Sequence, residues 1–169
     1  MMNMHSINHA SHRGLSSLII ALAVAGLAQT ALPQESGKCA APIPATDTKF
    51  KPGQVWHVKA RSWEPDATAT VLRVESLPKV GIIIHARIDH VAMHTCPGNP
   101  VMNTIQHSPI TRDAFDQSIS NIILSDSAAP DFKAGYEDWR THCGGVYSIS
   151  IAEILAINEK TARANMGCA

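Results

Sequence analysis

The chain has 169 residues, of which 45% are hydrophobic and 17% charged, and its 14 Lys+Arg balance 14 Asp+Glu. That neutrality gives no electrostatic footprint for nucleic acid or an anionic membrane. The length suits one ordinary domain with a real hydrophobic core.

The first element is an export signal. Residues 1–17 are polar, carry Arg13 and three histidines, and hold no acidic side chain. An apolar run of 11 residues, 18–28, follows directly. It is too short for the ~20 residues of a spanning helix. Gly26 and Ala28 stand two apart ahead of Gln29, in the manner of a peptidase site. The order predicts a secretory signal peptide over residues 1–28, removed on export to the periplasm or beyond. Lys38 before Cys39 does not suit a lipid-attachment site, and no later stretch is long enough to span a bilayer. Cleavage leaves 13 basic side chains against 14 acidic. Residues 29–48, with Pro33, Pro42 and Pro44, read as an extended leader, and residues 49–165 as a single domain.

Within that domain the hydrophobic period is first that of strands. In residues 55–61, Trp56, Val58 and Ala60 alternate with His57, Lys59 and Arg61. Trp63-Glu64-Pro65-Asp66 supplies a turn, and residues 68–75 form a second strand rich in Thr and Val. Residues 82–90 form a third, with Ile82, Ile84, Ala86 and Ile88 facing inward. Residues 101–107 predict a short fourth strand after the Pro97-Gly98-Asn99-Pro100 loop. Short connections make this an antiparallel meander.

The period then lengthens. Thr111 predicts an N-cap, and Phe115, Ile119, Ile122 and Ile123 fall on one helical stripe. Phe132, Tyr136 and Trp139 predict a second helix over residues 131–142, stopped by Gly144-Gly145. Residues 146–149 read as one more strand. Ser150-Ile151-Ala152-Glu153 is a capping box opening a third helix to about residue 164. The expected class is α+β: a meander of about four strands, one later strand, and about three helices packed on one face.

Several pieces resemble an uncharacterised family of small bacterial proteins. They are Pro52-Gly53-Gln54-Val55-Trp56, Arg61, Glu64-Pro65, Thr68 and Leu72-Arg73-Val74-Glu75. Ser108-Pro109-Ile110, Phe132, Gly135-Tyr136, Trp139-Arg140 and Ser150-Ile151-Ala152-Glu153 continue the likeness. It spans roughly residues 50–160 and implies no catalytic role, since the family has no established activity.

Cys39, Cys96, Cys143 and Cys168 make an even count, which in an oxidising compartment implies two disulfides. Cys96 with Cys143, and Cys39 with Cys168, is the favoured pairing, because the first two lie in turns and the others near the mature termini. No C-x-x-C motif supports redox chemistry. His85, His90, His94 and His107 crowd one region, and such ligands suit zinc or copper. His90 and His94 are the leading candidates, set against a reading as surface or interstrand histidines. Glu64, Asp66 and Asp89 are the carboxylates open to a hydrolase reading, although turn chemistry accounts for Pro65-Asp66. No nucleophile elbow and no phosphate-binding glycine motif occurs. The expected function is therefore an exported, non-enzymatic binding protein, of an inhibitor or toxin-neutralising (immunity) type, presenting the Cys96–Pro100 loop to a protein partner. A periplasmic metal-binding protein and a small hydrolase are the alternatives.

Overall fold

A computed structural model describes residues 39–168. The expected signal peptide and the first part of the leader lie outside these residues. The centre of the fold is a hairpin of two long strands, β3 (Thr68–Leu77) and β4 (Gly81–Met93), both rich in β-branched side chains. They pair from Leu77↔Gly81 to Thr68↔Asp89. Gly81 takes φ +87° at the turn, a conformation that suits a residue without Cβ. β5 (Met102–Thr111) flanks β4, while β2 (Val55–Val58) flanks β3 and is followed outward by β6 (Ile119–Leu124). The sheet order is β5-β4-β3-β2-β6, and every pair is antiparallel.

β1 (Ile43–Pro44) pairs with the far end of β3, at Ser76 and Glu75. Residues 39–48, expected as the end of a leader, are thus held against the domain. Asp47 fixes the following turn by accepting from the backbone N–H groups of Lys49 and Phe50. Its second oxygen accepts from Arg112. These bonds hold its carboxyl below the usual range against the opposing cost of burial.

The hydrophobic core lies on one face of the sheet. Val71, Val74, Ile84, Ala86 and Ile88 meet Phe50, Trp56 and Phe115 there, together with Ile151, Ile154 and Leu155. The last four come from α1 (Arg112–Ser118) and α3 (Ile151–Asn165). Phe115 is fully buried, edge-on to Phe50 with ring centres 5.1 Å apart. Burial of such a ring stabilises by about 2–3 kcal/mol. The capping box forms as expected: Glu153 N–H donates to Ser150 Oγ, and Ser150 N–H donates to Glu153 Oε2.

Three expectations are corrected. First, the helix opened by Thr111 stops at Ser118 and does not run on through Ile122 and Ile123. The Ser118 hydroxyl donates to Ala114 O and accepts from Ile151 N–H, which ties the helix end to the start of α3. The β-branched residues after it pair with β2 instead, as their propensity favours. Second, the expected one-face packing holds for α1 and α3, whereas α2 (Lys133–Thr141) lies across the opposite face. It goes there because β3 and β4 turn polar and aromatic-binding side chains, Glu75 and His85, to that side, where Tyr136 and Trp139 meet them. Third, residues 146–149 make only a single parallel bridge, Tyr147 to Ile110.

The cysteine pairing is also corrected. The disulfides are Cys39–Cys143, with Cα atoms 5.1 Å apart, and Cys96–Cys168, at 5.7 Å. The favoured pairing assumed that the chain ends meet each other. In fact α2 and α3 carry Cys143 and Cys168 to opposite sides of the sheet. Cys143 arrives beside the start of β1, and Cys168 beside the β4–β5 loop. No helix among the described residues is long and apolar enough to cross a membrane.

Candidate functional site

Two β-bulges shape the site. Between Ala86↔Ser108 and Ile88↔Ile105, β4 supplies only Arg87 while β5 supplies Gln106 and His107. A bulge of this kind bends the strand and re-aims the extra side chain. Gln106 reaches Arg87, and His107 turns under α2, its Nε2 lying 2.8 Å from Nδ1 of His85. In β3 the extra residue is Leu72, between Val71↔Ala86 and Arg73↔His85. Beyond it, Arg73 and Glu75 point to the α2 face and Val74 to the core.

The result is a polar row, Arg73–Glu75–His85–His107, buried at its two central members and partly exposed at its ends. Arg73 Nε is 2.9 Å from Glu75 Oε1. Tyr136 donates its hydroxyl to the same carboxylate at 3.0 Å. His85 Nε2 faces Glu75 Oε2 at 3.1 Å, close in distance but without hydrogen-bond alignment. Glu75 is 1% exposed and His85 is 0% exposed, so both side chains are shut off from solvent. Burial, then the neighbouring His107, then Arg73 push the His85 pKa down to about 3. Burial alone takes His107 to about 4. Both imidazoles are therefore neutral at pH 7. Burial and the Glu75 carboxylate raise the pKa of the Tyr136 hydroxyl.

Neutral rings fix the tautomers. A carboxylate repels a bare ring lone pair, so we assign the His85 proton to Nε2, the nitrogen nearer Glu75. Its Nδ1 then accepts from His107 Nε2–H, leaving His107 Nδ1 as an acceptor. Among the described residues no serine, threonine or cysteine side chain bonds to either ring. The row sets a carboxylate beside a pair of imidazoles, without the aligned carboxylate–imidazole bond or the nucleophile of a catalytic triad among the described residues. Aromatic rings pack around it: Trp139 and Tyr136 stand edge-on to His85, and Phe132 is stacked near His107.

His107 opens into a cleft of about 630 Å³ between the β5 edge and α2. Trp139 forms one wall, and its indole N–H donates to Gly145 O at 3.0 Å. The backbone around Gly144 passes directly over the Trp139 ring, where a Cβ would collide. Gly135 lets α2 approach β5, since a Cβ there would lie 2.9 Å from that of His107. The Cys39–Cys143 bond anchors this end of the cleft.

Of the four histidines singled out by sequence, the fold joins His85 and His107 and separates the other two. His90 takes φ +56°, is exposed and lies 3.3 Å from Thr68 Oγ1. His94 is exposed beyond the end of β4. Among the described residues no group of three or more His, Cys, Asp or Glu side chains stands where it could hold a metal ion.

The carboxylates do not converge either. Glu64 is clamped by Arg61 at 2.6 Å and accepts from Ala92 N–H. Burial opposes, and Arg61 and that N–H outweigh it, so its pKa is lowered. Asp89 is held by Arg87 and Thr104, and Asp66 is exposed. Sequence reasoning missed Glu75 as a site residue. Its signal is a lone acid inside a run of β-branched and apolar residues, which no solvent-facing strand position requires.

No protein-family model matches this chain, and no curated protein or solved structure shows significant similarity to it.

Proposed function

We propose that this protein is exported by its N-terminal signal and works outside the cytoplasm, in a bacterial periplasm or beyond, as a non-catalytic binding or inhibitor protein. Its partner is engaged at the cleft between β5 and α2. The observation that carries this reading is the cleft itself: a concave, aromatic-walled surface along the partly open edge of β5, held at one end by a disulfide. Preformed concave sites with a few placed polar groups are the usual places for ligands, and a covalently fixed rim lowers the ordering cost of binding. Two disulfides fit an oxidising compartment. Among the described residues the imidazole pair has no nucleophile beside it, and Glu64 and Asp89 are neutralised by arginines, which favours binding over hydrolysis.

The test is photo-cross-linking in producing cells, with a photoreactive residue at Gln106 and a control at Lys79 in the β3–β4 turn. The protein is recovered from the periplasmic fraction, where its first residue is expected within about three of Gln29. A discrete adduct from Gln106 and none from Lys79 is the expected result. Equal labelling at both positions, or a chain retained in the cytoplasm with its first 28 residues, would overturn the proposal.

A further inference from the structure

The cleft is only one side of a longer feature. β5 is an edge strand, paired to β4 on one side alone. Its C-terminal end is already partly covered: Tyr147 N–H donates to Pro109 O, and Thr111 N–H donates to Tyr147 O. These are the first two rungs of an added strand. The chain leaves the edge at Gly144-Gly145 to reach Cys143, so the rest of β5, residues 102–107, has no further backbone partner among the described residues.

Two cavities flank this free stretch from opposite faces of the sheet. On the α2 face is the 630 Å³ cleft with His107 and Trp139. On the α3 face is a second cavity of about 280 Å³, with Met93, Met102, Ile105 and Ala162 in its wall. The two share Ile105, Gln106 and Asn158, so they meet at the strand edge. Successive side chains of an extended strand point to opposite faces. An exposed edge with a pocket on each face is therefore the geometry of peptide recognition by strand addition, where backbone bonds bind and alternate pockets select.

We infer that the ligand of this site is an extended peptide segment of the partner, added as a further strand along residues 102–107 of β5. The inference rests on the proposed binding function and names its ligand class. Residues 102–105, at about 3.3 Å each, give about 13 Å of extended edge before the bulge at Gln106-His107, enough for about four ligand residues. One parity of ligand side chains lies against His107 and Trp139, which suits a planar or aromatic group. The other lies against Met93, Met102 and Ile105, which suits an aliphatic one. The imidazole is neutral and accepts at Nδ1, so the aromatic position favours a hydrogen-bond donor such as tyrosine.

The probe is a positional-scanning library of N-acetylated, C-amidated hexapeptides, incubated with the disulfide-intact protein. The retained peptide is then resynthesised with single N-methyl amides. Retained sequences are expected to alternate aromatic and aliphatic positions. N-methylation at every second amide is expected to weaken binding about tenfold, the effect of one lost buried hydrogen bond, and at the intervening amides less than about twofold. Retention with no alternation, or equal losses at every amide, would overturn strand addition. So would failure to retain any hexapeptide. If the Gln106 cross-link still forms in that case, the binding function stands with a folded partner surface and only the peptide inference falls. If it does not form, both fall.

Discussion

Replacing Cys96 and Cys168 by serine is expected to lower the unfolding free energy by about 4 kcal/mol. The two residues are 72 apart in sequence, and Cys39 and Cys143 are 104 apart. In the chain-entropy account, closing loops of this length restricts the unfolded ensemble by that order, with only a slow increase with loop length. The Cys39/Cys143 serine pair is therefore expected to cost nearly the same. The two should differ in where the native state loosens. Without Cys96–Cys168, the last turns of α3 lose their tie to the β4–β5 loop. Without Cys39–Cys143, the Gly144-Gly145 end of the cleft and the start of β1 are released together. Urea unfolding of each serine pair measures the cost, and an unchanged midpoint in either would show that bond to be energetically idle. Peptide mapping without reduction gives an independent check, since the fold requires a Cys39–Cys143 fragment and no Cys96–Cys143 fragment.

The second large effect is acid instability of the imidazole pair. In the folded protein His85 titrates at about 3 and His107 at about 4, against an ordinary value near 6.5 in the unfolded chain. Above the ordinary value both states are neutral and the pair contributes nothing to pH dependence. Below it the unfolded chain takes up protons that the folded chain refuses. Stability therefore falls as pH drops from about 6.5 toward 4, approaching two protons, or about 2–3 kcal/mol per pH unit, near pH 5. Below the folded values the loss levels off. Asp47 and Glu64 act lower on the scale: their lowered values stabilise above the ordinary carboxylate range and are lost as pH falls through it. Equilibrium unfolding at a series of pH values should show the imidazole slope, and His107→Gln should reduce it by about half. A His107→Gln variant with the full slope would place the proton uptake elsewhere.

The parts of the fold that sequence displays are those governed by local periodicity. Alternation in β3 and β4, the N-cap at Thr111 and the capping box at Ser150 are short-range signals, and each appears where expected. The continuation of α1 fails because Ile122 and Ile123 fit two periods at once. The choice between them is made by β2, which needs a strand on its free side. The bulges at Leu72 and at Gln106-His107 leave no periodic trace, yet they decide which face carries Arg73, Glu75 and His107. His85 and His107 are 22 residues apart, and only the β4–β5 register brings their rings together. Disulfide pairing is equally non-local, because it depends on which face each helix crosses. Several residues of the family-like pattern hold structural positions: Gln54 bonds Trp56, Arg61 clamps Glu64, and Tyr136 binds Glu75.

The acid-sensitive row and the proposed binding cleft share His107, so the proposal couples occupancy to protonation. A ligand that donates to His107 Nδ1 binds the neutral ring, and its affinity is tied to the same protonation that governs stability.

Binding at the β5 edge is read out by hydrogen–deuterium exchange on the disulfide-intact protein, free and with the partner captured through Gln106. Slowed exchange is expected over residues 102–110 and 144–147, where the β5 edge meets the cleft. Slowed exchange confined to β6 or to the Trp63 turn, with residues 102–110 unchanged, would contradict binding there.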